Sequence, residues 1–295
     1  MLSTSLNLAQ NKGMSFIYRS IFLSLLLVLL VKTGNTQVNI HTPNVRSVLY
    51  VGTGKEQPLI VGLGGSEGGN AWASDYWKPT RDRFVAKGYA FLALGYFGAA
   101  GTPPLLDKIA LEDVYQNIQE ATKDTNVKKS GIALIGGSRG ADLALLLGSY
   151  YPEISCVVGL VASHAVFPGH TDHFTSSCWT FKDKELPFVP VNEAAIPFLI
   201  KRDLRGAFET MLLDSVAATK AAIPVEKIKG PILLLSATED EICPSTPMSE
   251  AMIQRLKDKQ FRYAMEHHAI NGSHAKPLQR FDLVEAFLAK HYGVK

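Results

Sequence analysis

The chain has 295 residues, 46% hydrophobic and 19% charged, a balance that excludes a disordered or fibrous polypeptide and suffices for one large domain around a single core. The formal net charge of +3 comes from Lys12, Arg19 and Lys32, which lie in a stretch without acids. The remainder is neutral and offers no basic footprint for nucleic acid. Three cysteines without a C-x-x-C pair argue against a zinc or redox centre and allow at most one internal bridge, with Cys178 and Cys243 as the candidate pair and Cys156 in an apolar run.

The chain opens on a predicted leader. Residues 21–31 are eleven uncharged, almost wholly apolar positions, preceded by Lys12 and Arg19 and followed by polar residues 32–37. That is the layout of a secretory signal peptide over residues 1–36, cut near the small residues Thr33, Gly34 and Thr36. Eleven residues rise only about 16 Å as a helix, short for a bilayer, so an uncleaved membrane anchor is the secondary expectation. The domain is then exported, secreted or periplasmic, and spans residues 38–295.

Val45–Gly52 and Pro58–Leu63 read as strands, the second nearly continuous in apolar character. Gly64-Gly65-Ser66-Glu67-Gly68-Gly69-Asn70 follows, and four glycines in seven residues permit close backbone approach to a ligand. A helix is expected over Trp77–Lys87, a strand over Tyr89–Tyr96 and a helix over Leu106–Lys123. The loop Phe97–Pro104 lies at a strand's carboxyl end, where open α/β sheets bind ligands, so it and Tyr96 are candidates for one pocket wall.

Residues 131–147 carry the strongest signal. Ile132–Ile135 form a short unbroken apolar run, and beyond Ser138 the apolar spacing becomes helical through Leu143, Leu146 and Leu147. The turn between is Gly136-Gly137-Ser138-Arg139-Gly140, a match to G-x-S-x-G, in which a strained serine presents its hydroxyl at the tip of a sheet. The Arg139 N–H, at a helix start, is then one oxyanion donor, and Gly65 or Ser66 supplies the second.

Ser155–Ala162 reads as a buried strand. Residues 163–199 then run without periodicity, rich in His, Pro and aromatics, as expected of a lid. His170-x-x-His173 beside Asp172 lacks a third ligand at proper spacing, so these are read as loop histidines, with neither metal nor cofactor expected. Helical spacing returns at Asp203–Ala222, a strand at 231–237, a helix at Ser249–Lys257, a strand at Phe261–His268 and a last helix at Phe281–Tyr292. Alternating strands and helices predict a mainly parallel sheet covered on both faces, the α/β-hydrolase fold.

A serine hydroxyl needs a base, and the base needs a carboxylate to fix its tautomer. Glu239, Asp240 and Glu241 stand at the end of one strand and His274 on the loop after the next, giving the chain order Ser, acid, His. Asp240 is central in its turn, with Glu239 and Glu241 as substitutes. His274 is preferred to His267 and His268, which fall on the strand itself. Three further segments carry a resemblance: Gly64-Gly65-Ser66, the Ile223-Pro-Val-Glu-Lys-Ile-Lys-Gly-Pro-Ile-Leu-Leu-Leu-Ser-Ala-Thr-Glu-Asp240 run, and Gly272-Ser-His274 with Pro277. With the serine turn, they make residues 48–290 resemble the C-terminal domain of the acyl-CoA thioesterase and bile-acid-CoA:amino-acid N-acyltransferase family. The resemblance implies that Ser138, Asp240 and His274 occupy the nucleophile, acid and base positions. Family members with CoA-thioester chemistry carry a β-sandwich domain ahead of this one, where this chain carries the apolar leader. The expected function is hydrolysis of a small-molecule carboxylic ester or thioester through an acyl-enzyme. Acyl transfer to an amine or alcohol and a silent binding protein are the alternatives.

Overall fold

The computed structural model describes residues 36–293. The predicted leader therefore lies outside the described residues. Eight strands form one sheet: β1 (Thr36–Thr42), β2 (Val45–Val51), β3 (Gln57–Leu63), β4 (Ala90–Gly95), β5 (Val127–Gly137), β6 (Ile154–Leu160), β7 (Ile232–Ala237) and β8 (Met265–Ile270). Their order across the sheet is β1-β2-β4-β3-β5-β6-β7-β8. β2 runs antiparallel to both β1 and β4, and every later pairing is parallel.

The helices are α1 (Lys78–Ala86), α2 (Leu111–Ala121), α3 (Arg139–Tyr150), α4 (Ile196–Ile200), α5 (Leu204–Met211), α6 (Ser215–Ala221), α7 (Ser245–Asp258) and α8 (Phe281–His291). Alternation along the strands divides the core. Leu59, Val61, Leu63 and Leu134 face a cluster with α2, α3 and α7, while Ile60, Ala133 and Ile135 face one built with α1 and α8. This is the α/β arrangement expected, with both faces buried.

Three differences from the sequence reading have physical causes. β1 is an edge strand with six of seven residues at least partly exposed, so it carries little hydrophobic signal and its first residue falls inside the stretch assigned to the leader. The helix expected at Leu106–Lys123 begins only at Leu111, because Ile109–Ala110 pairs with Trp179–Phe181 in a small second sheet. The run Asp203–Ala222 is two helices, each started by an aspartate, Asp203 and Asp214, whose side chain accepts a backbone N–H of the first turn.

The irregular segment is also larger than residues 163–199. Ala165 bridges Ala222, and α4, α5 and α6 lie within that closed excursion between β6 and β7. It has its own small core of Phe167, Val189, Ala195, Ala207, Met211 and Ala221. This cap nucleus is separate from the two clusters that flank the sheet, with Met248 of α7 joining it.

Candidate functional site

Ser138 sits between β5 and α3 with φ 52° and ψ −124°, a positive φ that a residue with a side chain adopts only when its surroundings impose it. The surroundings here are two glycines. A Cβ at Gly136 would lie 2.0 Å from the Gly140 carbonyl oxygen, and a Cβ at Gly140 would lie 2.3 Å from that of Gly64. Backbone meets backbone at both points, so only glycine fits at either position. The Ser138 N–H donates to Leu160 O at 2.9 Å, which pins the turn to β6. The Arg139 N–H, at the first position of α3, has no hydrogen-bond partner among the described residues.

The acid follows β7. Asp240 is buried, and its Oδ1 accepts the N–H groups of Ile242 and Cys243, both at 3.0 Å, while Oδ2 accepts the Ser245 hydroxyl at 2.6 Å. His274 Nδ1 lies 2.8 Å from Oδ1 and 3.0 Å from Oδ2. Burial alone would raise the Asp240 carboxyl, but the bonds from His274, Ser245 and Cys243 outweigh it and hold the group below the usual carboxylate range. An ionised carboxylate can only accept, so Nδ1 carries the proton and Nε2 is left as the basic nitrogen. Glu239 and Glu241 are exposed, and Glu241 instead accepts the His274 backbone N–H at 2.9 Å, a loop-holding role the sequence did not reveal.

The rival histidines lie elsewhere. His267 packs on β8 with Nε2 2.7 Å from the Ser236 hydroxyl, and His268 pairs with Glu266. His170 and Asp172 line the cavity at Ser138, while the expected wall at Phe97–Pro104 does not. Tyr96 donates to Gly64 O at 2.7 Å and Gly69 N–H to Phe97 O, so that segment supports the glycine loop from behind. All three cysteines are buried free thiols, and the bridge considered between Cys178 and Cys243 is not formed. Asp240, Cys243 and His274 bring ligand-type atoms within 4.8 Å of one another. Burial and Asp240 push the Cys243 thiol well up, which disfavours the thiolate a metal would need.

A cavity of about 860 Å³ joins these parts. Ser138, Arg139, Ser163, Cys243 and His274 form its floor, and Phe167, Leu199, Phe208 and Met211 of the cap are among its apolar walls. No hydrogen bond links Ser138 Oγ to His274 among the described residues, although both face this space. In the glycine loop, Ser66 and Glu67 reach the cavity, and the Gly65 N–H donates to Glu67 Oε1 at 3.0 Å.

Residues 115–274 match the family described as BAAT / Acyl-CoA thioester hydrolase C terminal. The chain belongs to this family. Among curated members it is 25% identical over 228 residues to acyl-coenzyme A thioesterase 6 of Mus musculus, covering 76% of this chain and 50% of the relative. It is 24% identical over 228 residues to acyl-coenzyme A amino acid N-acyltransferase 1 of Mus musculus, at the same coverage. The chain thus spans about half the length of the curated relatives it matches. Among solved structures, the Pyrococcus furiosus esterase Pf2001 superposes with a TM-score of 0.60 at 18% identity, covering 88% of this chain and 92% of that one. A Mycobacterium tuberculosis puromycin-hydrolyzing peptidase gives 0.61 at 15%, covering 88% and 41%. These likenesses establish the α/β-hydrolase fold.

Next to the serine lies a buried ion pair. Arg139 Nη1 is 3.1 Å from Asp142 Oδ2, and Asp142 Oδ1 accepts the Ser163 N–H at 2.8 Å. Burial pushes the Asp142 carboxyl up to about 6 despite the guanidinium beside it. The folded protein therefore holds this proton more tightly than the unfolded chain, and stability from this group declines as pH rises from about 4 toward 6. Asp142→Asn is expected to flatten that slope, read as the difference in urea midpoint between pH 4.5 and pH 7 in the two proteins.

Proposed function

We propose that this domain hydrolyses a carboxylic ester or acyl thioester through an acyl-Ser138 intermediate. The observation that carries the reading is the 2.8 Å contact of His274 Nδ1 with buried Asp240, beside a positive-φ serine in one cavity. In the first half-reaction Ser138 Oγ attacks the carbonyl carbon while His274 Nε2 takes the hydroxyl proton. Asp240 holds the ring and stabilises the imidazolium. His274 then protonates the departing alcohol or thiol. In the second, water attacks the acyl carbon and gives its proton to His274, which passes it to Ser138 Oγ as the Ser138–acyl bond breaks to release the acid. Membership in a family with thioesterase members supports the thioester, and the cap's apolar walls suit a hydrocarbon acyl group. The amino acid N-acyltransferase relative keeps acyl transfer as a second reading, in which an amine replaces the water.

The oxyanion would sit between the Arg139 N–H and the glycine loop. There Gly65 already donates to the Glu67 carboxylate, whose charge opposes a developing oxyanion. Glu67 is exposed and followed by Gly68 and Gly69, both at positive φ, so its departure on substrate entry costs little. Glu67→Ala is expected to raise kcat/KM toward a neutral ester by up to about fivefold, the equivalent of about 1 kcal/mol. The test of the reading itself is covalent: a fluorophosphonate should label the protein once, with the adduct on the peptide containing Ser138. Labelling confined to any other residue refutes the assignment.

A further inference from the structure

Arg139 does more at this site than supply an N–H. Its side chain is buried, yet it lines the cavity floor directly after the nucleophile. A guanidinium carries five N–H donors in a fixed fork. Among the described residues only one is engaged, by Asp142, and that contact is single and, at 3.1 Å, long for a charge-assisted bond. Asp142 is meanwhile satisfied on its other oxygen by the Ser163 N–H. A purely structural ion pair would spend the fork on its partner, and apolar residues would fill the same space at no desolvation cost. The faces of Phe167 and Phe208 flank the guanidinium carbon at 5.3 and 5.4 Å, holding the fork in place without using its donors.

We propose that the Arg139 fork receives a carboxylate of the reacting molecules at the floor of the Ser138 cavity. The carboxylate has two sources. It is the far end of a dicarboxylic acyl group, or it is the carboxylate of an amino acid that accepts the acyl group. His170, which shares the cavity, is pushed down to about 4 by burial and by Arg139, so it adds no charge at neutral pH. The two other acids on the cavity, Glu67 and Asp172, are exposed, where solvent and salt screen them. The turnover arms of the test rest on the hydrolase reading above, and the binding arm does not.

In the binding arm, glutarate and adipate are titrated by calorimetry into Ser138→Ala protein at low salt, alone and combined with Arg139→Gln, Arg139→Lys or Asp142→Asn. Arg139→Gln is expected to weaken binding at least tenfold. Arg139→Lys should retain part of it. Asp142→Asn keeps an oxygen for the Ser163 N–H but removes the competing charge, and is expected to tighten binding. In the acyl arm, N-acetylcysteamine thioesters of glutarate and adipate are compared with those of pentanoate and hexanoate. In the acceptor arm, glycine is compared with glycinamide at matched free-amine concentration. The arm in which Arg139→Gln lowers the preference for the carboxylate at least tenfold identifies its source. If dicarboxylate affinity is indifferent to Arg139→Gln and Asp142→Asn, and neither preference moves, the inference is overturned while hydrolysis stands. If the wild-type protein turns over neither these thioesters nor the corresponding aryl esters, the hydrolase reading falls and the calorimetry alone decides the inference.

Discussion

Ser138→Ala is expected to lower kcat by about 10⁴- to 10⁶-fold, because the remaining groups have no partner to act on. The side chain lost is small, and the strain of its φ of 52° is imposed by neighbours that stay in place, so stability should change little. An alanine tolerates that backbone no better than serine does, which leaves the melting temperature as a clean control. Fluorophosphonate labelling should vanish in parallel. A variant that kept its full rate would show that the nucleophile lies elsewhere in the cavity.

Asp240→Asn should cost about 10⁴-fold in kcat through a different route. The aspartate accepts from Ile242 N–H, Cys243 N–H, Ser245 Oγ and His274 Nδ1, four donors converging on two oxygens. An asparagine offers only one acceptor oxygen, so its NH₂ must face a donor or displace the ring. With an N–H opposite Nδ1, the imidazole is driven to the other tautomer and Nε2 can no longer take the serine proton. Loss of an ionised, hydrogen-bonded carboxylate also removes stability that is present at neutral pH and fades as pH falls through the depressed folded value. The stability difference from wild type should therefore be full at pH 8 and shrink in acid. Equal losses in Glu239→Gln would redirect the acid role, although that side chain is exposed.

The sheet and the serine turn were legible because their signals are local. Ile132–Ile135 is a parallel-strand run, and Gly136 and Gly140 stand where no Cβ can be placed. Asp240 and His274 could be paired from the sequence because both follow parallel strands, and adjacent β7 and β8 deliver them to the same edge. Most of what stayed hidden depends on contacts between distant segments. β1 is an exposed ribbon defined only by its pairing with β2. The hold of Glu241 on the His274 N–H needs two loops brought together, and the capture of the Gly65 N–H by Glu67 needs the local turn geometry. The cap escaped periodicity because its short helices pack on one another around Phe167 and Met211 and not on the sheet.

The turn bearing Ser138 and the loop bearing Gly65 touch without any side chain interposed, since the Gly140 α-carbon faces the Gly64 carbonyl and a Cβ at Gly65 would stand 3.2 Å from that of Ser138. Drift at Gly140 is consequently all-or-none, because a methyl group there meets the Gly64 backbone and breaks the joint, whereas one at Gly65 asks its neighbours to give by only a few tenths of an ångström. Descendants of this scaffold can vary the cap's walls freely, while the spacing between the serine turn and the glycine loop is inherited unchanged.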